Sequence, residues 1–231
     1  RWNQEWGHGG WMGSLAVHAI ADHPIGPYVD QGLIWPDYNN GVGHNVTALK
    51  LHDGRYAAII SDTRPGEVFI ADSLDGPWSY HGNIEVDNPD GYDVGRMVNL
   101  SVILRPDGDY MIVPRSGVVL ISKNGILGPY RAMGPSIYPT VEGLPLRDLE
   151  DPVLWYSGGL YHVVVNGWSD RKAWHITSED GITSWKLRGL AYDPREDFIR
   201  YEDGTVNHWF KLERPGVLIQ DGHVTHVTLS A

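Results

Sequence analysis

Residues 45–84 read NVTALKLHDGRYAAIISDTRPGEVFIADSLDGPWSYHGNI, and this segment contains one complete copy of an internal repeat. Its second half includes a Gly-Pro-aromatic turn that follows an Ile-Ala strand. The turn recurs at intervals of about 50 residues, which is typical of a repeat architecture. The copies are Gly26-Pro27-Tyr28, Gly76-Pro77-Trp78, Gly128-Pro129-Tyr130 and, in a weaker form, Thr183-Ser184-Trp185.

The first half of each copy has the pattern of a β-hairpin. Apolar and β-branched residues flank an Asp-Gly or Gly-Gly pair, which is a preferred sequence for a tight turn between two strands. Together the two halves predict a unit of four antiparallel strands, a blade. Aligned on their last residues, the hairpin segments are Asn45–Tyr56, Asn99–Tyr110, Glu150–Tyr161 and Glu213–Val224.

Four-stranded units at this period predict an all-β fold, the β-propeller. An incomplete ring leaves unpaired strand edges, so we expect five blades in the native protein and a single domain over residues 1–231 that is incomplete at both ends. The alternative is that the chain closes into a ring of four blades, with one blade shared between the two termini. The expected units are a half blade over 14–36, full blades over 44–84, 98–136 and 149–191, and a half blade over 213–231.

The composition excludes several classes of protein. A net charge of −11 disfavours a protein that binds nucleic acid through the phosphate backbone. No apolar run reaches the roughly 20 residues that a membrane-spanning helix needs. The absence of cysteine excludes disulfides and thiolate zinc sites, and it leaves the compartment open between cytoplasm and periplasm. The 10 Trp and 12 Tyr residues offer flat faces for sugar rings, although most are expected in the core.

Polar residues cluster where the blades open. In a propeller blade, the start of the first strand and the end of the second strand meet at one mouth of the central funnel. Two carboxylates at such a mouth suit acid–base chemistry on a glycosidic bond, because burial or a neighbouring charge raises one pKa. The strand starts are His44-Asn45, Asn99, Glu150-Asp151 and Glu213-Arg214, and the strand ends are Ser61-Asp62-Thr63, Pro114-Arg115-Ser116 and Asn166-Gly167-Trp168.

Two of these openings resemble those of a known enzyme clan. Asp151-Pro152 and Glu213-Arg214-Pro215 resemble the Asp-Pro and Glu-x-Pro openings of five-bladed glycoside hydrolases related to family 43. More specifically, the chain resembles the neoagarobiose hydrolases of glycoside hydrolase family 117. The segments that carry this likeness are GHNVT (43–47), EDP (150–152), DGTVNHW (203–209) and ERPG (213–216) leading to DGHVTH (221–226).

The resemblance implies an exo-acting enzyme of bacterial agar degradation that releases 3,6-anhydro-L-galactose from the non-reducing end of neoagaro-oligosaccharides with inversion. It implies that Asp151 orients and tunes the acid, and that Glu213 or His208 protonates the glycosidic oxygen. The clan's general base is an aspartate that opens the first blade. Counting back by the blade spacing places that aspartate before Arg1, so we expect this chain to lack the base.

Six further residues are candidates for substrate contact. Each catalytic candidate also has a structural interpretation: Asp151 as a strand-turn cap, Glu213 as an ion-pair partner of Arg214, and His208 as a surface histidine. The expected partner is an oligosaccharide; a homodimer is left open. The substrate-contact candidates are His44, Asn45, Arg115, Asn166, Trp168 and Asn207.

No cofactor is required by the sequence, and a divalent cation in the central channel is left open without a ligand set. Two alternative functions also stay open. One is another family 43-like exo-glycosidase of the arabinofuranosidase or xylosidase type. The other is a non-catalytic propeller that binds carbohydrate at the same mouth, for which paired carboxylates are not required.

Overall fold

A computed structural model describes residues 13–230, and within this range the chain is built mainly of β-strands. Short 3-10 helices lie at Asn39–Gly41 and Tyr138–Thr140. No helix in the described range has the length and apolar character needed to span a membrane. The strands are β1 (Val17–Ile20), β2 (Val29–Leu33), β3 (Val46–Lys50), β4 (Tyr56–Ile60), β5 (Glu67–Ala71), β6 (Ser79–Asn83), β7 (Val86–Asp87), β8 (Ser101–Leu104), β9 (Tyr110–Val113), β10 (Leu120–Ser122), β11 (Tyr130–Ala132), β12 (Leu149–Ser157), β13 (Leu160–Gly167), β14 (Ala173–Ser178), β15 (Lys186–Tyr192), β16 (Glu213–Gln220) and β17 (His223–Ser230).

The strands form successive sheets in chain order. The sheets β3-β4-β5-β6 and β12-β13-β14-β15 are four-stranded, with each strand antiparallel to the next. The sheet between them has the order β7-β11-β10-β9-β8, because the short strand β7 pairs in parallel with the outer strand β11. The strands β1-β2 and β16-β17 each form a two-stranded sheet. The all-β prediction is therefore confirmed, with four-stranded antiparallel blades as the repeating unit.

Neighbouring sheets pack face to face around separate apolar clusters. In β4, Ala57 and Ile59 pack toward the sheet of β8–β11, whereas Ala58 and Ile60 pack toward Trp35, which follows β2. Successive side chains of a strand point to opposite faces, so a strand between two neighbours has to be apolar on both faces. This explains why the second strand of the blade is a continuous apolar run in the sequence.

The hairpins between the first and second strands differ in length, which shifts the alignment of the repeats by one residue. In the β3–β4 hairpin, Leu51 N donates to Arg55 O at 2.7 Å, and three residues form the turn. In the β12–β13 hairpin, Ser157 pairs with Leu160, and two residues form the turn. The sequence alignment of Asn45 and Asn99 with Glu150 and Glu213 is therefore wrong by one position. In the structure, Asn45 and Asn99 are equivalent to Asp151 and Arg214.

The four first strands line a central channel. Residues of β3, β8, β12 and β16 surround a cavity of about 460 Å³, and β12 contacts both β8 and β16. Asp151 and Arg214 lie on this lining, at the end of the channel where the four strands begin. The propeller fold thus brings the blade openings, which are separated by about 50 residues in the chain, to one mouth.

Candidate functional site

The candidate site lies at the channel mouth, where one residue of each opening has a left-handed backbone. Non-glycine residues rarely adopt a positive φ, and asparagine tolerates it better than most other residues. In two openings the position is instead occupied by a charged residue followed by proline, and the strand pairing is bulged there. Bulges re-aim side chains and are frequent next to active sites. The four residues are Asn45 (φ 52°), Asn99 (φ 50°), Asp151 (φ 49°) and Arg214 (φ 48°).

Hydrogen bonds join these residues in pairs across the mouth. Asn45 Nδ2 donates to Asn99 Oδ1 at 2.9 Å. On the other side, Arg214 Nε donates to Asp151 Oδ1 at 3.0 Å. The first pair is neutral and the second is an ion pair, although both occupy equivalent backbone positions.

Three carboxylates converge on the charged side of the mouth. Glu150, Asp151 and Glu213 each offer an oxygen, and these oxygens all lie within 4.8 Å of one another. Asp151 is buried, and the side chains of Glu150 and Glu213 are only 13% and 18% exposed. Three negative charges this close repel one another unless protons or cations compensate them.

Basic side chains supply part of that compensation. Arg115 Nη2 lies 3.7 Å from Glu150 Oε2. Glu213 Oε1 lies 2.5 Å from Lys211 Nζ and 4.0 Å from Arg171 Nη1. Together with the bond between Arg214 and Asp151, each carboxylate thus faces at least one basic group.

Burial raises the pKa of Glu150, and the negative charge of Asp151 raises it further. The nearby Arg115, Lys211 and Arg214 oppose this shift, but burial is the largest contribution. A carboxyl group with a raised pKa retains its proton to higher pH and can act as a general acid.

On the neutral side of the mouth, Asp62 is the carboxylate. It accepts a hydrogen bond from Asn45 Nδ2 at 2.6 Å, and His44 Nε2 lies 3.8 Å away. Burial raises the pKa of Asp62, partly offset by the positive charge of Arg214. Burial and the same arginine lower the pKa of His44, which favours the neutral imidazole.

Comparison with known proteins gives matches among solved structures only: no protein-family profile matches the chain, and no curated protein does. An α-L-arabinofuranosidase of family 43 from Clostridium thermocellum ATCC 27405 superposes with a TM-score of 0.58 at 14% identity, covering 87% of this chain and 66% of that one. A family 43 β-xylosidase/α-arabinofuranosidase from a compost microbial metagenome, solved with xylotriose in a calcium-free form, has a TM-score of 0.58 at 12% identity, covering 90% and 72%. At sequence identities of 14% and 12%, the structural similarity establishes the fold.

The chain has the five-bladed propeller fold of family 43 glycoside hydrolases. It spans about two thirds of the length of the arabinofuranosidase (66%) and somewhat more of the xylosidase (72%).

The structure brings several sequence-predicted residues of this propeller together at the mouth. Asp151 and Glu213 lie among the three carboxylates, Arg115 faces Glu150, and His44 and Asn45 lie beside Asp62.

Asn166 lies in β13, and Trp168 directly follows that strand. Asn166 pairs with Glu150 across β12 and β13, is buried, and accepts a hydrogen bond from Tyr192 Oη at 2.7 Å. Trp168 follows β13 and is 48% exposed.

Two predicted residues, Asn207 and His208, lie on the loop before β16. Asn207 is exposed, and the imidazole of His208 is 64% exposed, with Nε2 2.5 Å from Asp197 Oδ1. Across residues 13–230, no hydrogen bond or ion pair joins His208 to the three carboxylates.

Glu150 and Asp62 were among the polar residues predicted at the mouth but not among the catalytic or substrate-contact candidates, and Lys211 and Arg171 were in neither group. Glu150 aligns with Glu213 in the repeat, but the family resemblance assigns a role to its neighbour Asp151 and none to Glu150. The signal that could have found it is that alignment, which places a glutamate at the start of two hairpin segments, Glu150–Tyr161 and Glu213–Val224. Arg171 and Lys211 lie in loops outside the repeat, where no periodicity applies.

The three carboxylates could hold a cation. Ca²⁺ and Mg²⁺ prefer carboxylate oxygens, and Glu150, Asp151 and Glu213 supply one each. A cation would compete with Lys211 and Arg214, which already face two of these groups. The donor chemistry therefore fits a hard cation only if these basic side chains move away.

Proposed function

We propose that this chain forms the catalytic propeller of an exo-acting glycoside hydrolase that releases 3,6-anhydro-L-galactose from the non-reducing end of neoagaro-oligosaccharides by inversion. The observation that carries the proposal is the convergence of three carboxylates, within 4.8 Å, on one channel mouth. The solved arabinofuranosidase and xylosidase with the same fold support glycosidase chemistry. The choice of neoagaro-oligosaccharides rests on the resemblance of the blade openings and of residues 203–226 to family 117.

In the proposed reaction, Glu213 donates its proton to the glycosidic oxygen while the bond from that oxygen to the anomeric carbon breaks. A water molecule attacks the anomeric carbon from the opposite face and gives its proton to a general base, so the configuration inverts. Asp151, fixed by its hydrogen bond from Arg214, orients the acid and favours the protonated form of its neighbours by its negative charge.

Glu150 is the second candidate for the proton donor. Lys211 and Arg171 face Glu213, whereas burial and Asp151 raise the pKa of Glu150. The two glutamates occupy equivalent positions in adjacent blades, one residue before Asp151 and Arg214. Either carboxyl group could therefore reach a glycosidic oxygen placed between them.

The spacing of the carboxylates bears on the base. An inverting enzyme separates its acid and its base by roughly 6.5–9.5 Å, which leaves room for the attacking water. Three carboxylates within 4.8 Å are too close to supply both groups. From the clan resemblance, the proposed base is an aspartate that opens the first blade.

The test is a substrate panel with the full-length protein. Neoagarobiose, neoagarotetraose, aryl arabinofuranosides and aryl xylosides are incubated in parallel, and products are identified by chromatography and by NMR of the anomeric configuration. Release of anhydrogalactose with inversion is expected. Turnover of arabinosides or xylosides alone would instead make the protein another family 43-like exo-glycosidase, and binding without turnover would make it a carbohydrate-binding propeller.

Matched variants identify the donor. Glu213→Gln should lower turnover roughly 10²–10⁴-fold on neoagarobiose and less on aryl glycosides, whose leaving groups need no proton. Glu150→Gln shows this leaving-group rescue only if Glu150 is the donor, and His208→Gln only if His208 is. Wild-type turnover in both glutamate variants would exclude this mouth from the reaction.

A further inference from the structure

An exposed aromatic pair borders the carboxylates on one side of the mouth. Trp168, in the loop after β13, is 48% exposed, and Phe210, in the loop before β16, is 82% exposed. Large aromatic side chains that are this exposed forfeit the stabilisation that burial would supply. Two of them on neighbouring loops, beside a polar site, indicate a surface that a ligand covers.

Arg171 connects the two rings. Its guanidinium carbon lies 4.9 Å from the centroid of the Trp168 ring and 5.3 Å from that of Phe210. These are cation–π distances, so the guanidinium occupies one face of each ring. Even with this contact, Trp168 is 48% and Phe210 82% exposed.

The same arginine connects the rings to the carboxylates. Arg171 Nη1 lies 4.0 Å from Glu213 Oε1, and Lys211, the neighbour of Phe210 in the chain, lies 2.5 Å from the same oxygen. The backbone of Arg171 is left-handed, with φ at 65°, and its N–H donates to Gly167 O at 2.8 Å. The left-handed turn at Arg171 costs conformational free energy. It places the Arg171 side chain between the two aromatic rings and Glu213.

We propose that Trp168, Arg171 and Phe210 form a platform that binds the leaving-group sugar of an oligosaccharide. The inference rests on the proposed glycosidase function and extends it to the substrate. A pyranose ring has an apolar C–H face that stacks on an aromatic ring, and its hydroxyls can accept hydrogen bonds from a guanidinium.

The position of the platform selects the leaving-group side. A proton donor lies next to the glycosidic oxygen, so the terminal sugar and the leaving group lie on opposite sides of it. The carboxylates are buried or nearly so, whereas the two rings are exposed, and we therefore place the rest of an oligosaccharide on the side of the rings. A neutral sugar fits better than an anionic one, because Glu213 already faces the two cations of the platform region, Arg171 and Lys211.

The experiment compares Phe210→Ala and Trp168→Ala with Ile25→Ala in the full chain. Ile25 is 78% exposed on the turn between β1 and β2, so its removal controls for the loss of an exposed apolar side chain. Binding of neoagarobiose and neoagarohexaose is measured by calorimetry. Each variant also carries Glu213→Gln, so that the two oligosaccharides are not hydrolysed and binding is measured independently of turnover. Thermal unfolding verifies that each variant is folded.

Phe210→Ala is expected to weaken binding of neoagarohexaose by about tenfold, and Ile25→Ala to leave it unchanged. In the active background, KM for neoagarohexaose should rise in Phe210→Ala, whereas Ile25→Ala should leave both KM and kcat unchanged. Unaltered binding in folded Phe210→Ala and Trp168→Ala would overturn the platform even if the protein hydrolyses neoagarobiose. Weakened binding without any hydrolysis would retain the platform and reject the proposed function. Failure of both probes to bind the Glu213→Gln protein overturns the platform as well.

Discussion

The two halves of the channel mouth have the same backbone and different chemistry. In the half formed by β3 and β8, the left-handed positions hold Asn45 and Asn99, whose side chains share a hydrogen bond of 2.9 Å. In the half formed by β12 and β16, the equivalent positions hold Asp151 and Arg214, which form an ion pair of 3.0 Å. The propeller symmetry fixes the geometry of both pairs, so the difference lies in charge.

Asparagine is the residue that a left-handed position favours, and the neutral half has it twice. Aspartate shares this tolerance, whereas other non-glycine residues pay roughly 1–2 kcal/mol in the same conformation. The charged half accepts this cost at Arg214, the residue that follows Glu213. Strained backbone of this kind is concentrated at functional sites, which agrees with a reaction placed in the charged half.

Asp151→Ala should have the largest effect of any single change at the mouth. Asp151 is 5% exposed, and its removal leaves the guanidinium of Arg214 without its carboxylate. Breaking a buried pair from one side typically costs 3–5 kcal/mol, so we expect a loss of about 3 kcal/mol in the free energy of unfolding. Urea denaturation followed by tryptophan fluorescence measures it.

Asp151→Asn makes the charged half resemble the neutral half. Asparagine tolerates the positive φ and keeps an oxygen that accepts from Arg214, so the loss of stability should be about 1 kcal/mol. Turnover should nevertheless fall at least 100-fold, because the negative charge that tunes the acid is gone. Turnover at the wild-type level would mean that the two halves differ in charge without a consequence for the reaction.

Much of the fold was predictable because local chemistry repeats. Each blade has an apolar second strand and a tight turn after its first strand, and Gly26-Pro27, Gly76-Pro77 and Gly128-Pro129 mark the end of the third strand. These features depend on neighbours in the chain. The pairing of β7 with β11 was missed, since Val86 and Tyr130 meet only through packing of a loop.

The candidate site was predictable only in part. Asp151 and Glu213 could be found because they lie in Asp-Pro and Glu-x-Pro motifs, which are visible in the sequence. Glu150 was passed over because the family resemblance assigns a role to its neighbour Asp151, although the repeat aligns Glu150 with Glu213. The platform of Trp168, Arg171 and Phe210 joins two loops about 40 residues apart, and loops carry no period from which that contact could be derived.

Asn45→Asp is the opposite change, because it adds a negative charge to the neutral half of the mouth. Asn45 Nδ2 donates to both Asp62 and Asn99, so a carboxylate there would lose two hydrogen bonds and face Asp62 across about the same distance. We expect a loss of about 1–2 kcal/mol at pH 7 and a smaller loss at pH 4, where one carboxyl group of the pair is protonated. Denaturation at the two pH values tests this, and equal losses would contradict it.

Glu150→Gln should change the pH dependence of stability. The pKa of Glu150 is raised in the folded protein above its ordinary value of 4.5, so the folded state binds this proton more tightly than the unfolded state does. Wild-type stability from this group is therefore greatest below that value and declines as pH rises through the raised pKa. Glutamine carries no ionisable proton, and the variant should gain stability relative to wild type between pH 4 and pH 7. A difference that does not vary with pH would contradict the shift.

Arg115→Gln should have the smallest effect and is the finest test of the charged half. Arg115 is 49% exposed and 3.7 Å from Glu150, and its positive charge lowers the pKa that burial raises. Removing it should raise the pKa of Glu150 further, and the pH at which Glu150 titrates, followed by carboxyl NMR, should move upward. An exposed pair contributes less than about 1 kcal/mol, so turnover at neutral pH should change less than about fivefold. Arg131→Gln removes the same charge from a 56% exposed side chain that faces Asp87, and it should leave the titration of Glu150 in place. If both variants move that titration equally, the effect comes from net charge and not from the contact at the mouth; added salt, which screens exposed pairs, should then abolish it in both.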